Sequence, residues 1–198
     1  DGPQPPHRPM NLVASSLSRS LTRLTWNAVP GAQTFRVEKR VGSDWLEIGR
    51  TALTTFDDPD AEGVTNFPYR VIAENEVGAS AATEQVQVAL PGSFKTGLAI
   101  EFESPRRARV LWPDVTGEWE YEVYRFDGIQ PLFMQATSLE WLRASGALIA
   151  TIPPDSTSFV DTSVTPRTAY SYVVAGVNVA GGATTGFYSC WTPSDQPP

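Results

Sequence analysis

Residues 168–182 read TAYSYVVAGVNVAGG, and residues 65–80 read TNFPYRVIAENEVGAS. Aligned on their tyrosines, Tyr69 falls on Tyr172, Asn75 on Asn178 and Gly78 on Gly181, each pair 103 positions apart (172 − 69, 178 − 75, 181 − 78). Phe56 and Phe159 keep that offset. Upstream, LTRLTWNAVPGAQTFRVEKR (residues 21–40) lines up with ARVLWPDVTGEWEYEVYRF (residues 108–126). There Trp26 falls on Trp112, Phe35 on Tyr121 and Val37 on Val123, each pair 86 apart (112 − 26, 121 − 35, 123 − 37). The chain is an internal repeat. Between the two blocks the offset grows by 103 − 86 = 17 residues, so the second copy carries an insertion.

Within each copy the apolar residues recur every second position. Leu24 and Trp26 alternate with polar neighbours, as do Phe35 and Val37. Tyr69, Val71 and Ala73 alternate with Arg70, Ile72 and Glu74. Such alternation in short runs separated by Pro and Gly predicts half-buried antiparallel strands. No segment outside the insertion carries a helical apolar stripe. Several short strands at ~8–12-residue spacing predict a sandwich or a barrel.

Several pieces follow one another in each copy. A Trp precedes a Pro-containing turn, then an aromatic-x-Val-x-basic run, then Phe-x-Asp. An aromatic-rich Tyr-x-Val-x-Ala-x-Asn-x-x-Gly run closes the series. In this combination the chain resembles two tandem fibronectin type III domains over nearly its whole length. The resemblance implies two seven-stranded immunoglobulin-like β-sandwiches, an all-β fold. It places Trp26, Phe35 and Tyr69 in one core and Trp112, Tyr121 and Tyr172 in the other. The tyrosine that ties the loop before strand F falls on Tyr170 in the second copy. In the first it falls on Phe67, which has no hydroxyl, so that corner is expected to hold by packing alone at a loss of ~1 kcal/mol.

The expected division is a Pro-rich leader over residues 1–8, a first domain over 9–91, a second over 92–193 and a linker over 194–198. The insertion lies near residues 129–146. A chain that begins and ends in Pro-rich polar sequence reads as a piece of a longer protein. The join ALPGS (residues 89–93) is short, with Pro91 to stiffen it and Gly92 to allow a bend, which predicts a limited range of interdomain angles.

Composition narrows the chemistry. The net charge is −7, which disfavours nucleic acid and anionic membrane. No apolar run approaches the ~20 residues that cross a bilayer. Cys190 is the one cysteine, so no intrachain disulfide forms. Only two of the 15 basic residues are lysine, Lys39 and Lys95, and alanine is abundant, a bias associated with bacterial genomes.

Catalytic readings meet a poor inventory. The sole histidine, His7, lies in the Pro-rich leader, so no histidine triad or zinc centre can be built from the folded parts. No cofactor and no metal are expected. Cys190 has no histidine to activate it, and its orientation depends on a one-residue choice of register. The acidic stretch DDPDAEG (residues 57–63) has no EF-hand spacing and reads as an acidic turn. PRRAR (residues 105–109) reads as the solvent face of a strand.

The insertion is the richest segment. Ser138 can cap a helix starting at Leu139, and Gly146 can end it, predicting a two-turn helix over Leu139–Ser145. With Phe133 and Met134 it brings five large apolar side chains into what is ordinarily a tight turn, and loops of this length are uncommon without a function. Two readings stand. The helix folds back over a sheet edge or the join between domains. Alternatively Trp119, Phe133, Trp141 and Leu142 present an aromatic platform to a glycan or a protein.

The sequence thus points to a non-catalytic accessory module. It would be a semi-rigid spacer or adhesion arm in a larger secreted or cell-surface protein, bacterial in origin. The alternative is a carbohydrate- or protein-binding module that uses the insertion. Neighbouring domains, and a polysaccharide or surface protein, are the expected partners, and a monomer is the expected state.

Overall fold

The computed structural model describes residues 2–59, 66–130 and 138–195. The chain divides into two compact units, Asp1–Ala89 and Leu90–Pro198.

In the first unit the strands are β1 (Val13–Ser18), β2 (Leu21–Thr25), β3 (Thr34–Val41), β4 (Asp44–Thr51), β5 (Thr55–Asp58), β6 (Tyr69–Asn75) and β7 (Gly78–Ala79). They form two antiparallel sheets in the orders β1-β2-β5 and β4-β3-β6-β7. In the second unit β8 (Ala99–Ser104), β9 (Arg107–Leu111) and β12 (Ser158–Asp161) form one sheet. The other runs β11-β10-β13-β14, from β10 (Glu120–Asp127), β11 (Ala147–Ile152), β13 (Ala169–Asn178) and β14 (Gly181–Thr184). A final strand, β15 (Tyr188–Trp191), also pairs with β13. β14 and β15 are two stretches of one edge strand, so both units share the seven-strand frame of the fibronectin type III fold.

The interruption of that edge strand is itself repeated. Thr83 and Thr185 are buried, and their hydroxyls accept from the backbone N–H of Val71 and Val174 at 3.1 and 3.0 Å. The side chain takes over a ladder bond where the edge breaks.

The inward faces make the cores. Leu24, Trp26, Phe35, Val37, Tyr69, Val71 and Ala73 are buried in the first unit. Ala108, Val110, Trp112, Tyr121, Val123, Tyr170, Tyr172 and Val174 are buried in the second. Trp26 packs edge-on to Phe35 with ring centroids 5.4 Å apart, and Trp112 meets Tyr121 at 5.5 Å. Each tryptophan sits one residue beyond its strand, where its backbone N–H donates to the carbonyl of Thr54 or Thr157 at 3.1 and 3.0 Å.

The loops at one end are also repeated. Asn75 Nδ2 donates to the Gly31 carbonyl at 3.2 Å, and Asn178 Nδ2 donates to Gly117 at 2.7 Å. Gly31 and Gly117 lie at φ 76° and 85°, a backbone region that glycine enters without steric cost. The repeated Asn therefore ties the turn after β6 or β13 to the turn before β3 or β10.

Two sequence expectations change. The leader is not a free linker along its length: Pro6 and Pro9 are buried, and the Gln4 carbonyl accepts from Asn75 Nδ2 at 2.9 Å. Pro rings supply apolar surface without an N–H to satisfy, which suits a segment laid against a finished sandwich. The other change concerns the outer face of the larger sheet. In the first unit it is a grid of ion pairs. Arg36 meets Glu38 at 3.3 Å and Glu74 at 3.1 Å, Arg70 meets Glu38 at 2.6 Å, and Arg50 bridges Glu47 and Glu74. At the same positions the second unit has Glu122, Tyr124, Val173 and Val177, and β13 is buried at all ten positions.

Candidate functional site

The insertion covers that second face. Its helix α1 spans Leu139–Ser145. Ser138 Oγ accepts from the Trp141 N–H at 3.1 Å, and the Gly146 N–H donates to the Leu142 carbonyl at 2.8 Å. Cap and stop therefore lie where the sequence puts them. Glu140 in the first turn and Arg143 in the last both complement the helix dipole.

Leu142 is 0 % exposed and packs with Tyr124, Val173, Ala175 and Val177 in a second apolar cluster outside the sandwich. Trp119, Phe126, Leu139, Trp141 and Phe187 border it, partly buried. Trp141 stacks on Phe126 with centroids 5.6 Å apart and planes 16° apart, and Phe187 meets Phe126 edge-on at 5.2 Å. Beside them Arg143 grips Glu122 through two nitrogens, at 2.5 and 3.2 Å. Glu122 is 3 % exposed and also accepts from the Tyr124 hydroxyl. The carboxylate is buried but fully engaged, the condition under which a buried charge is tolerated.

So α1 lies on the sheet face, over Tyr124, Val173, Ala175 and Val177, and reaches the edge strand β14 through Leu139 beside Gly182. Leu142 is a core residue and offers nothing to a ligand. Trp119 and Trp141 are half-buried borders of the cluster and do not form an open strip. Phe133 and Met134 lie outside the described residues. Among the described residues the most exposed tryptophan is Trp191, at 63 %, with Tyr188 of the same strand at 39 %. Trp191 pairs with Ala169 across β13, on the face opposite to Cys190, and Ile129, also exposed, begins the insertion on the other side of Ala169.

Cys190 points inward and packs against the main core. Burial pushes its thiol up to about 11. It is a protonated, unreactive thiol at neutral pH.

Under each corner lies a charged group that sequence reading missed. Asp58 is 2 % exposed and accepts from Lys39 Nζ and from the Tyr69 hydroxyl, both at 2.9 Å. Asp161, equally buried, accepts from Arg125 at 2.8 Å, Tyr172 at 2.9 Å and the Ser163 N–H and hydroxyl at 2.8 and 2.7 Å. Burial alone would raise the Asp161 carboxyl, but the Ser163, Arg125 and Tyr172 bonds outweigh it and hold the group below the usual carboxylate range. Burial, with Asp161 close by, pushes the Tyr172 phenol well above its ordinary value. The signal was the Asp of each Phe-x-Asp: two residues from a core Phe, it had to face inward.

Tyr170 closes its corner by accepting from the Thr165 N–H at 3.2 Å, with Arg125 stacked 4.8 Å above its ring. Phe67 has no such bond, but Lys39 Nζ lies 4.8 Å above its ring. A cation–π contact therefore adds to the packing that was expected to act alone.

The remaining charged motifs are spoken for. Asp57 holds Arg23 in a two-point pair at 2.7 Å, while residues 60–63 of that acidic stretch lie outside the described residues. Arg107 and Arg109 both meet Glu103, and Arg106 meets Asp195 at 2.7 Å. Asp114, Glu118 and Asp155 bring carboxylate oxygens within 4.8 Å of one another. Two of them already accept protein bonds, Asp114 from Tyr121 at 2.6 Å and Glu118 from the Asp155 N–H at 3.2 Å.

No family model matches the sequence. Among solved structures the chain is similar to the FN1-FN3 domains of chicken CNTN1, at 14 % identity over 96 % of this chain and 69 % of that one, with a TM-score of 0.41. It is also similar to a two-domain fibronectin type III segment of chicken tenascin, at 16 % identity over 94 % and 98 %, TM-score 0.39. A single domain, FN3tt, matches at 20 % identity over 42 % and 95 %, TM-score 0.40. What makes each unit a fibronectin type III fold is its own strand order, with β1-β2-β5 facing β4-β3-β6-β7 and the same arrangement in the second unit.

Proposed function

We propose that the chain is a non-catalytic accessory module, a spacer or adhesion arm within a larger secreted or cell-surface protein, bacterial in origin. The observation that carries this reading is the use made of the insertion. Its anchoring side chains, Leu142 and Arg143, turn inward to complete a second apolar cluster and to neutralise Glu122. A segment added for recognition would hold such groups outward. The inventory agrees: the sole histidine is exposed in the leader, and the sole thiol is partly buried against the core, its pKa pushed up to about 11.

A second reading, a carbohydrate- or protein-binding module, is favoured by Trp191 rather than by Trp141. An indole 63 % exposed on a strand face is an apolar plate of the kind that stacks on a sugar ring. Electrophoresis of the chain through gels containing soluble polysaccharides, beside Trp191→Ala and Trp141→Ala, separates the two. The spacer reading expects no retardation by any glycan. Retardation lost in Trp191→Ala would replace it with the binding reading and locate the site.

A further inference from the structure

We propose that the join at residues 87–92 is held closed to proteases, and that Asn66 is the positioning residue that closes it. Gln87, Ala89 and Leu90 are exposed, and small or polar residues between domains are where a chain is ordinarily nicked. A protease cuts backbone that has opened, so what decides cleavage is where the backbone groups of the join find their partners.

On the leaving side, Val86 and Tyr69 exchange both backbone bonds, at 2.8 and 3.0 Å. Two residues on, a side chain takes the place of a strand partner. Asn66 Oδ1 accepts from the Val88 N–H at 3.0 Å, and Asn66 Nδ2 donates to the Val88 carbonyl at 2.7 Å. The amide carries one donor and one acceptor at the spacing of a peptide group, so it copies a ladder pair, which neither Ala nor an ionised Asp can do. Gln87 Nε2 returns a bond to the Asn66 carbonyl at 2.6 Å. Val88 is 5 % exposed, so the clasp also keeps an apolar side chain in the core.

On the entering side, Leu90 precedes a proline and is confined to extended backbone, while Pro91 has its φ fixed and no N–H to satisfy. The Gly92 N–H donates to the Thr116 carbonyl at 2.8 Å. A bend is the use that sequence suggests for Gly92, but the structure gives it another. A Cβ there would lie 3.0 Å from Thr116 Oγ1 and 3.4 Å from Thr116 N, so glycine lets the chain approach that turn closely. Leu90 lies against Gly181, whose Cβ would meet Leu90 Cδ2 at 3.0 Å. The first unit repeats this contact with Pro5 against Gly78, at 3.4 Å, so the seat of an entering segment belongs to the shared frame. No more than Ala89 lies between the two held stretches. The inference goes beyond the spacer reading and holds for the binding reading as well, since Trp191 takes no part in either clasp.

The test is native digestion of the full chain with a broad-specificity protease, cut sites being read by mass spectrometry, beside amide heteronuclear NOEs. In the wild type, residues 87–92 are expected to stay intact, with NOEs as high as those of β3 and β10. Asn66→Ala is expected to be cut between residues 87 and 90 roughly tenfold faster and to lower the NOEs there, with amide exchange in β3 and β6 unchanged. Gly92→Val is expected to open the join from the other side, at residues 90–93. Equal cutting of the wild type and Asn66→Ala at the join overturns the proposal, and so do wild-type amides there as mobile as those of the chain terminus. Cutting of Asn66→Ala throughout the first unit, with faster exchange in β3 and β6, also overturns it, making Asn66 a residue of general stability. Glycan retardation is indifferent to both clasps, so either reading can fail without the other.

Discussion

At the scale of single residues, the deepest commitment of each sandwich is an aspartate. Asp161 is 2 % exposed and its carboxyl lies below the usual range. A group whose folded value is depressed adds stability above its unfolded value, ~4, and loses it as pH falls through the folded one. Thermal melts of the wild type between neutral pH and ~2 are therefore expected to show the second unit weakening on the acid side. Asp161→Asn is expected to be less stable at neutral pH and flatter in acid. Removing the charge leaves Arg125 without its partner, but Arg125 keeps 18 % exposure. The loss should lie toward the low end of the ~3–5 kcal/mol for breaking a buried pair. A variant as stable as the wild type at neutral pH would show that the pair only balances its own desolvation. Cys190 gives a second test. With its thiol partly buried and its pKa pushed up to about 11, it should react with a disulfide reagent at pH 8 far more slowly than an exposed thiol. Prompt labelling of the native chain would place the thiol outside the core.

At the scale of elements, α1 shows what was legible and what was not. Its limits could be read from local chemistry, since Ser138 and Gly146 act within four residues of the groups they satisfy. Its docking site could not be read from the insertion itself. The information sat about thirty residues downstream (172 − 142 = 30), in YVVAGVN of β13, where apolar residues occupy both alternations of the strand. A run without a polar face predicts burial on both sides, and β6 at the same position keeps Arg70 and Glu74. Register across the sheet was likewise illegible, so Cys190 and Trp191 could not be told apart as inward and outward until β13 fixed the partner of each. If α1 is part of the second unit's core, Leu142→Ala should cost ~2–5 kcal/mol. Replacing residues 139–145 by a Gly-Ser loop should expose Tyr124, Val173 and Val177 and raise binding of a hydrophobic dye to the folded chain. A loop variant as stable and as dye-silent as the wild type would leave the helix without a structural role.

At the scale of the whole molecule, the two units carry the same frame with different reinforcement. The first relies on one apolar core and a grid of ion pairs, of which the exposed Arg50–Glu47 pair is worth ~0–1 kcal/mol and weakened by salt, while Glu38 is buried between Arg36 and Arg70. Its corner has Phe67, without the hydroxyl that Tyr170 offers to the Thr165 N–H. The second adds the cluster around Leu142, the Tyr170 bond to Thr165 and the wider set of donors around Asp161. No disulfide joins or staples either unit, because Cys190 stands alone. Units that each close their own core unfold separately when little apolar surface is shared. Denaturant titration followed by tryptophan fluorescence should therefore show two transitions, the first unit giving way earlier. Trp26→Phe identifies the earlier transition, since it removes a fluorophore from the first core alone. Leu142→Ala should then move only the later one toward the former. If that variant shifts the transition marked by Trp26, or if one cooperative step appears for the whole chain, the two sandwiches share their stability across the short join at residues 89–93.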